Sequence, residues 1–284
     1  MKTFPLLVLA ITLSSAAAAD VSRLASDAAK GDAEAEFLLG RAYLNGDGVK
    51  ADDARAAELF RQSAEQGNFK AQNNLGFMYL EGRGVKADDA QAAKWLRKAA
   101  AQGVARSQVA LAALIVGGRG EPKNFAEAEK WYLRAAAQGE EGADLGLGEL
   151  YYYGLAGVKP NLAEAAKWYR KVADRGNASA ENALGAIYEH GFGDRKPDAA
   201  AAFEWYAKAA RQRDAKARAN LGRLYYEGRG VKKDNVKAYA WLKLSADEGE
   251  PLAVNLLVGV KKALGPEKLA EAEVLAQLYA SGAN

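Results

Sequence analysis

The sequence contains no cysteine. That excludes disulfides, thiol catalysis and thiolate metal sites, and it leaves no residue for lipid attachment behind a leader. Histidine is almost absent too, with His190 the only one. One imidazole cannot build a multi-histidine metal site, and nothing in the sequence nominates a nucleophile for it. His190, at the end of a helical pattern before Gly191, therefore reads as a capping or surface residue. Long apolar runs are also missing. Leu6 to Leu13 falls short of the ~20 apolar residues a membrane span needs. With Lys2 before it and Ala17-Ala18-Ala19 behind it, residues 1–19 read as a secretory signal peptide, leaving a mature start near Asp20. Nor is there an excess of one charge: 39 basic residues face 36 acidic ones, a formal net charge of +3. Nucleic-acid binders concentrate basic charge on one face. Here the two signs are interspersed, so neither a nucleic-acid partner nor a membrane span is expected.

What the chain does have is a ladder of glycines. Gly31, Gly67, Gly103 and Gly139 stand 36 residues apart, and Gly176 and Gly249 continue the series with Arg213 in the one missing rung. A fixed period of this size is the signature of a stacked repeat protein. Residues 68–103 are the cleanest copy. Ala71, Leu75, Gly76 and Tyr79 share one face of a first helix over about 70–81. The turn Gly82-Arg83-Gly84-Val85 ends it, and Ala92, Trp95, Leu96 and Ala99 share a face of a second helix. Asp52, Asp88, Asn124, Asn161, Asp198 and Asp234 mark the start of each second helix as N-caps. Gln91, Glu127 and Glu164 follow their caps by three, as in a capping box.

Two kinds of position recur as packing. Gly40, Gly76, Gly148, Gly185 and Gly222 lie mid-helix, where glycine costs about 1 kcal/mol relative to alanine. Close approach of the paired helix is the simplest reason. Tyr43, Tyr79, Tyr151, Tyr188 and Tyr225 follow those glycines by three, and Trp95, Trp131, Trp168, Trp205 and Trp241 fill the large slot of the second helix, with Leu59 there in the first copy. The third copy has Leu111, Ala112 and Ile115 and a Gly118-Arg119-Gly120 turn. The fourth and fifth carry an extra residue, within Gly154-Leu155-Ala156-Gly157 and after Gly193. Deviation of the stack is expected most at Arg213.

The pattern A-x-x-x-L-G-x-x-Y-x-x-G-x-G-V…A-x-x-W-x-x-x-A-A-x-x-G resembles the Sel-like repeat (Sel-one) family, relatives of the tetratricopeptide repeat. The resemblance runs from residue 31 to 249. It implies an all-α fold: a right-handed α-α superhelix, or solenoid, of six helix-turn-helix repeats with C-terminal capping helices. The expected organisation is a signal peptide over 1–19, a cap helix over 20–31, and six repeats over 32–249. Those repeats span 32–67, 68–103, 104–139, 140–176, 177–213 and 214–249. A half repeat and a cap follow over 250–284, with Pro266 opening the last helix. The lack of cysteine separates the chain from the cysteine-rich bacterial branch, so packing alone must hold the stack.

Chemistry has little foothold. Some cysteine-rich relatives are linked to β-lactams, but no serine here has lysine three residues on, as a serine β-lactamase requires, and no Gly-x-Ser-x-Gly elbow occurs. The Gly-x-Gly pairs at 46/48, 82/84, 118/120, 191/193 and 228/230 are helix-to-helix turns, not phosphate loops following a strand. Asp52-Asp53 and Asp88-Asp89 sit in cap register, not as metal ligands. No catalytic, cofactor or metal residue is expected, and the chain reads as a non-enzyme.

In tetratricopeptide relatives the ligand-facing positions lie two before and one or four after the mid-helix glycine. Carried onto this chain they give Arg41, Asn73, Phe77, Glu149, Tyr152, Asn182, Glu189, Arg223 and Tyr226, with Arg106 and Lys216 one turn earlier in their helices. Amides suit an extended peptide backbone, and arginines grip carboxylates bidentately. The resemblance thus implies an exported scaffold or adaptor that binds a protein or peptide in the cell envelope through its concave face. The alternatives are an enzyme acting on β-lactam or cell-wall material, and a glycan-binding module using Tyr152 and Tyr226.

Overall fold

The computed structural model describes residues 20–154 and 160–282. The leader expected over 1–19 and the Leu155–Gly157 part of the fourth turn lie outside them. Among the described residues the chain is helical throughout, apart from turns and an isolated antiparallel bridge between Phe192 and Arg195. That bridge absorbs the extra residue of the fifth turn. The chain divides into two compact units, residues 1–143 and 144–284.

In the first unit, α1 covers residues 20–28. Three hairpins follow: α2 (Ala33–Asn45) with α3 (Asp53–Glu65), α4 (Phe69–Glu81) with α5 (Asp89–Ala101), and α6 (Ala105–Gly117) with α7 (Phe125–Ala136). The second unit begins within α8 (Glu141–Tyr153). It continues through α9 (Leu162–Ala173), α10 (Ala178–His190), α11 (Ala199–Arg211), α12 (Ala215–Glu227) and α13 (Asn235–Asp247), and ends in α14 (Pro251–Ala263) and α15 (Pro266–Ser281). Within each unit, helix pairs stack on their neighbours, and the fold class is an α solenoid.

The expected caps are all made. Asp52, Asp88, Asn124, Asn161, Asp198 and Asp234 each accept the N–H three residues on, at 2.9–3.2 Å. The capping boxes close by another route. The cap residue's own N–H donates to the tyrosine carbonyl of the preceding helix: Asp88 to Tyr79 at 3.0 Å and Asn161 to Tyr151 at 2.7 Å. That donor is therefore unavailable to the Gln91 or Glu164 side chain, and Glu127 instead takes Arg97 and the Trp131 indole.

The mid-helix glycines are cradles. A Cβ on Gly40, Gly76, Gly148, Gly185 or Gly222 would stand 2.6–2.8 Å from Phe60, Leu96, Tyr169, Tyr206 or Leu242 respectively. The residue after each tryptophan slot therefore enters the space that a side chain would fill. The same position in α14 is Val258, four residues after Val254 and 72% exposed. Val258 thus offers no cradle for the side chain of a following helix. α15 packs along α13 instead: the Trp241 and Tyr279 rings stack with centroids 4.4 Å apart, and the Tyr239 hydroxyl donates to Glu273 at 2.5 Å.

A second ladder was not anticipated. Glu36, Gln72, Gln108, Asp144, Glu181 and Arg218 occupy equivalent places in the six first helices, and all are buried. Each faces the end of its own second helix. Gln66 donates to Glu36 at 2.7 Å, Gln102 to Gln72 at 2.9 Å, Gln138 to Gln108 at 3.0 Å and Gln212 to Glu181 at 2.7 Å. Arg175 stands 3.5 Å from Asp144, and Arg218 donates to Glu248 at 2.6 Å. Gln72, Gln108 and Arg218 also donate to carbonyls of the preceding repeat, those of Ala64, Ala100 and Ala210. Buried polar groups must be paired, so at Gln72, Gln108 and Arg218 this ladder ties a hairpin to the one before.

The missing rung does not disturb its neighbourhood as expected. Among the described residues Arg213 is the one non-glycine with positive φ, at 68°. Its N–H bonds Ala210, as Gly67 bonds Ala64. A non-glycine residue in this region stores strain. The arginine side chain offsets part of it by reaching the Ala280 carbonyl at 3.4 Å, in the last turn of α15 where a cation is favoured.

Candidate functional site

The tyrosines and tryptophans in repeat register are packed, as their phase implies. Trp95, Trp131, Trp205 and Trp241 are buried, while Trp168 is half-buried. Cations cover their outer faces: Lys171 lies 3.7 Å from the Trp168 ring centre and Lys208 4.2 Å from that of Trp205. Little of this aromatic surface is left for a ligand.

The predicted first-helix residues separate by unit. In the first unit, Arg41 is exposed and lies over Phe37 at 5.9 Å. Asn73 donates to Asn74 at 3.1 Å and accepts from Ser107 at 2.9 Å. Phe77 lies under the Arg106 guanidinium, 4.4 Å from its ring centre. These residues are brought together in pairs that join α4 to α6.

In the second unit, Glu189 and Arg223 are partners. Arg223 donates to Glu189 at 2.7 Å, Arg229 stands 2.9 Å from it, and the Tyr206 hydroxyl donates to it at 3.1 Å. Burial pushes the Glu189 carboxyl up, but Arg223, Tyr206 and Arg229 outweigh it and hold it below the usual glutamate range. Both carboxylate oxygens are thus engaged within the chain. Tyr226 is half-buried, with Lys233 5.1 Å from its ring centre.

Four of the predicted residues meet in one place. Glu149 and Tyr152 of α8, Asn182 of α10 and Lys216 of α12 line a cavity of ≈ 290 Å³ together with Tyr153 and Tyr169. The Tyr152 ring stands edge-on to Tyr153 (5.0 Å, 83°) and to Tyr169 (6.3 Å, 70°). Asn182 accepts from Asn220 at 3.1 Å. Glu149 is exposed at the mouth, yet desolvation by the walls raises its carboxyl above the ordinary range. Burial likewise pushes the Tyr169 phenol up, with the nearby Glu149 charge adding to it. Sequence reading missed Tyr153 and Tyr169. Tyr169 follows the tryptophan slot and carries the mark of a core residue; its ring fills the Gly148 cradle and also lines the cavity. The exposed third tyrosine of the Tyr151-Tyr152-Tyr153 run was the available signal for Tyr153.

Among the described residues there is no cluster of three or more His, Asp or Glu able to hold a metal, and no helix is long and apolar enough to cross a membrane.

Stacked helical hairpins, with a glycine cradle in five of the six first helices, define a helical-repeat protein. The chain belongs to the Sel1 repeat family: the family's profile matches residues 33–68, 69–104, 105–140, 143–177, 178–214 and 215–250. Among solved structures it is similar to a Sel1 repeat protein from Oxalobacter formigenes, at 32% identity over 84% of this chain and 95% of that one, with a TM-score of 0.65. A protective antigen of uropathogenic Escherichia coli with an SLR fold matches at 26% identity over 92% and 79%, TM-score 0.37. An immunity protein from Pseudomonas aeruginosa matches at 23% over 80% and 81%, TM-score 0.39. No curated protein matches the chain. Sel1 repeats mediate protein–protein interactions, and the family is typically non-catalytic.

Proposed function

We infer that this chain is an exported adaptor, which binds a protein or peptide of the cell envelope through its first-helix face. The observation that carries the reading is the cavity in the second unit. Glu149, Tyr152, Asn182 and Lys216 were selected from sequence as ligand-facing, and they converge there with two further tyrosines. Binding sites combine apolar walls with a few convergent polar groups, and tyrosine gives contact area at low entropic cost. The leader-like first 19 residues support export.

Site-specific photo-crosslinking in native cells tests the adaptor. A benzophenone side chain at Tyr153 or Arg41 should form discrete adducts, and one at Leu133, exposed on the second helix α7, should not. Adducts only from Leu133, or equal labelling everywhere, would sink the first-helix assignment. N-terminal sequencing of the protein recovered from cells tests export, the expected start being near Asp20. An intact Met1 would refute it.

A further inference from the structure

We propose that the cavity between α8, α10 and α12 is a receptor for a single cationic side chain, lysine or arginine, presented by the partner segment. This rests on the adaptor reading and names what the site takes.

Unmatched groups on the cavity wall carry the argument. Among the described residues Glu149 has no hydrogen-bond or ion-pair partner, and desolvation alone acts on its carboxyl. The charges of Glu189, Arg223 and Arg229, by contrast, are matched internally. Tyr169 is only 4% exposed, yet its hydroxyl has no hydrogen-bond partner among the described residues, whereas Tyr206, its equivalent one repeat later, donates to Glu189. The difference arises four residues after the cradle glycine, where Glu189 in α10 corresponds to Tyr152 in α8. Tyr169 lines the cavity, so its hydroxyl is open to a hydrogen-bond partner supplied by a ligand there.

The aromatic geometry selects the charge. Tyr152 stands edge-on to both Tyr153 and Tyr169, and the three tyrosines line the cavity together with the unpaired Glu149. A cation within about 6 Å of such a ring is attracted by its quadrupole, and aromatic cages hold ammonium groups in this way. An anionic ligand would meet Glu149 and the same π faces, both unfavourable. Lys216 is exposed at the rim, and its long stem lets the ammonium stay in water. Asp214, also at the cavity, balances its charge while capping the N–H of Ala217. At ≈ 290 Å³ the cavity lies at the small end of the range for ligand sites, about 300–1,000 Å³. It fits one side chain of a longer segment.

The test uses capped pentapeptides, Gly-Gly-X-Gly-Gly with X as lysine, arginine or norleucine, titrated into the full chain while aromatic NMR signals are followed. Lysine or arginine should give saturable shifts at Tyr152, Tyr153 and Tyr169, and norleucine should give none. Glu149→Gln should weaken binding at least about tenfold, as loss of a charged hydrogen bond does, and Tyr169→Phe by about threefold. Both variants should keep the native circular dichroism and a cooperative melt no lower than about that of the native chain. Equal shifts from norleucine, unchanged affinity in Glu149→Gln, or no saturable shift would overturn the proposal. In the crosslinking experiment, unchanged adducts at Tyr153 in a Glu149→Gln background would remove the cationic receptor and leave the adaptor standing. Peptide binding without adducts at any first-helix position would support the receptor and remove the adaptor.

Discussion

The fourth and fifth repeats use the same cradle to different ends. Gly148 admits the ring of Tyr169 and Gly185 that of Tyr206. Four residues further on, α8 has Tyr152 and α10 has Glu189. In the fifth repeat that carboxylate collects a tyrosine hydroxyl and two arginines into a closed, charge-matched network. In the fourth, a ring takes the carboxylate's place, the tyrosine hydroxyl is left over, and Glu149 stands unpaired beside it. The comparison teaches that side-chain changes at a few repeat positions decide whether the tyrosine behind the cradle is tied into an internal network or left open to a cavity.

The first prediction concerns what the two repeats share. Gly148→Val and Gly185→Val should each destabilise by about 3 kcal/mol, the upper range for overpacking, because a Cβ alone would stand 2.8 or 2.6 Å from a ring that cannot bend aside. Ala112 fills the corresponding place in the third repeat and is fully buried, so a methyl group can be accommodated there, but a branched side chain has no room. Urea unfolding measures both variants. A neutral result for either would mean that its cradle is not tightly packed.

The next pair should separate the repeats. Glu189→Ala leaves Arg223 and the Tyr206 hydroxyl without their acceptor in a buried setting and should cost about 2–3 kcal/mol, somewhat less than a fully buried pair because Glu227 stays beside Arg223. Glu149→Ala should change stability by less than about 0.5 kcal/mol, as an exposed unpaired residue does. Equal losses would erase the contrast. Hydroxyl deletion repeats the comparison on a smaller scale. Tyr206→Phe should cost about 1 kcal/mol and Tyr169→Phe less than about 0.5 kcal/mol, since only the first removes a hydrogen bond.

Much of this is written in the sequence. The cradle glycines, the second-helix caps and the tryptophan slots recur at fixed spacing, and local chemistry is enough to assign them. The first-helix register also picked out Glu149, Tyr152, Asn182 and Lys216. The polar ladder from Glu36 to Arg218 is periodic too, but its members change between acid, amide and base, so residue identity hides it. The pairing of Glu189 with Arg223 spans 34 residues. The state of Tyr169 depends on a neighbour 17 residues earlier, so neither can be read from one helix alone. Arg213 misleads for another reason: a non-glycine can hold a left-handed turn when its side chain reaches a partner, and that partner lies 67 residues away.

The finest contrast is in pH. The folded Glu189 carboxyl lies below its unfolded value, despite burial, because Arg223, Tyr206 and Arg229 favour the charged form. Its stabilisation is present above the unfolded glutamate pKa of about 4.3 and is lost as pH falls through the folded value. Glu149 has the opposite sign. Desolvation raises its folded pKa, so its contribution is present at low pH and is lost as pH rises through that value. Glutamine variants should therefore diverge at neutral pH. Glu189→Gln should be less stable than the native chain and Glu149→Gln slightly more stable, and both differences should shrink on acidification below about pH 4. The Glu149 effect should be the smaller, because water screens a carboxylate at the cavity mouth. Melting temperatures of the three proteins from pH 3 to 8 measure it, and a shift of both variants in the same direction at pH 7 would show that the two carboxylates do not differ in the way their partners imply.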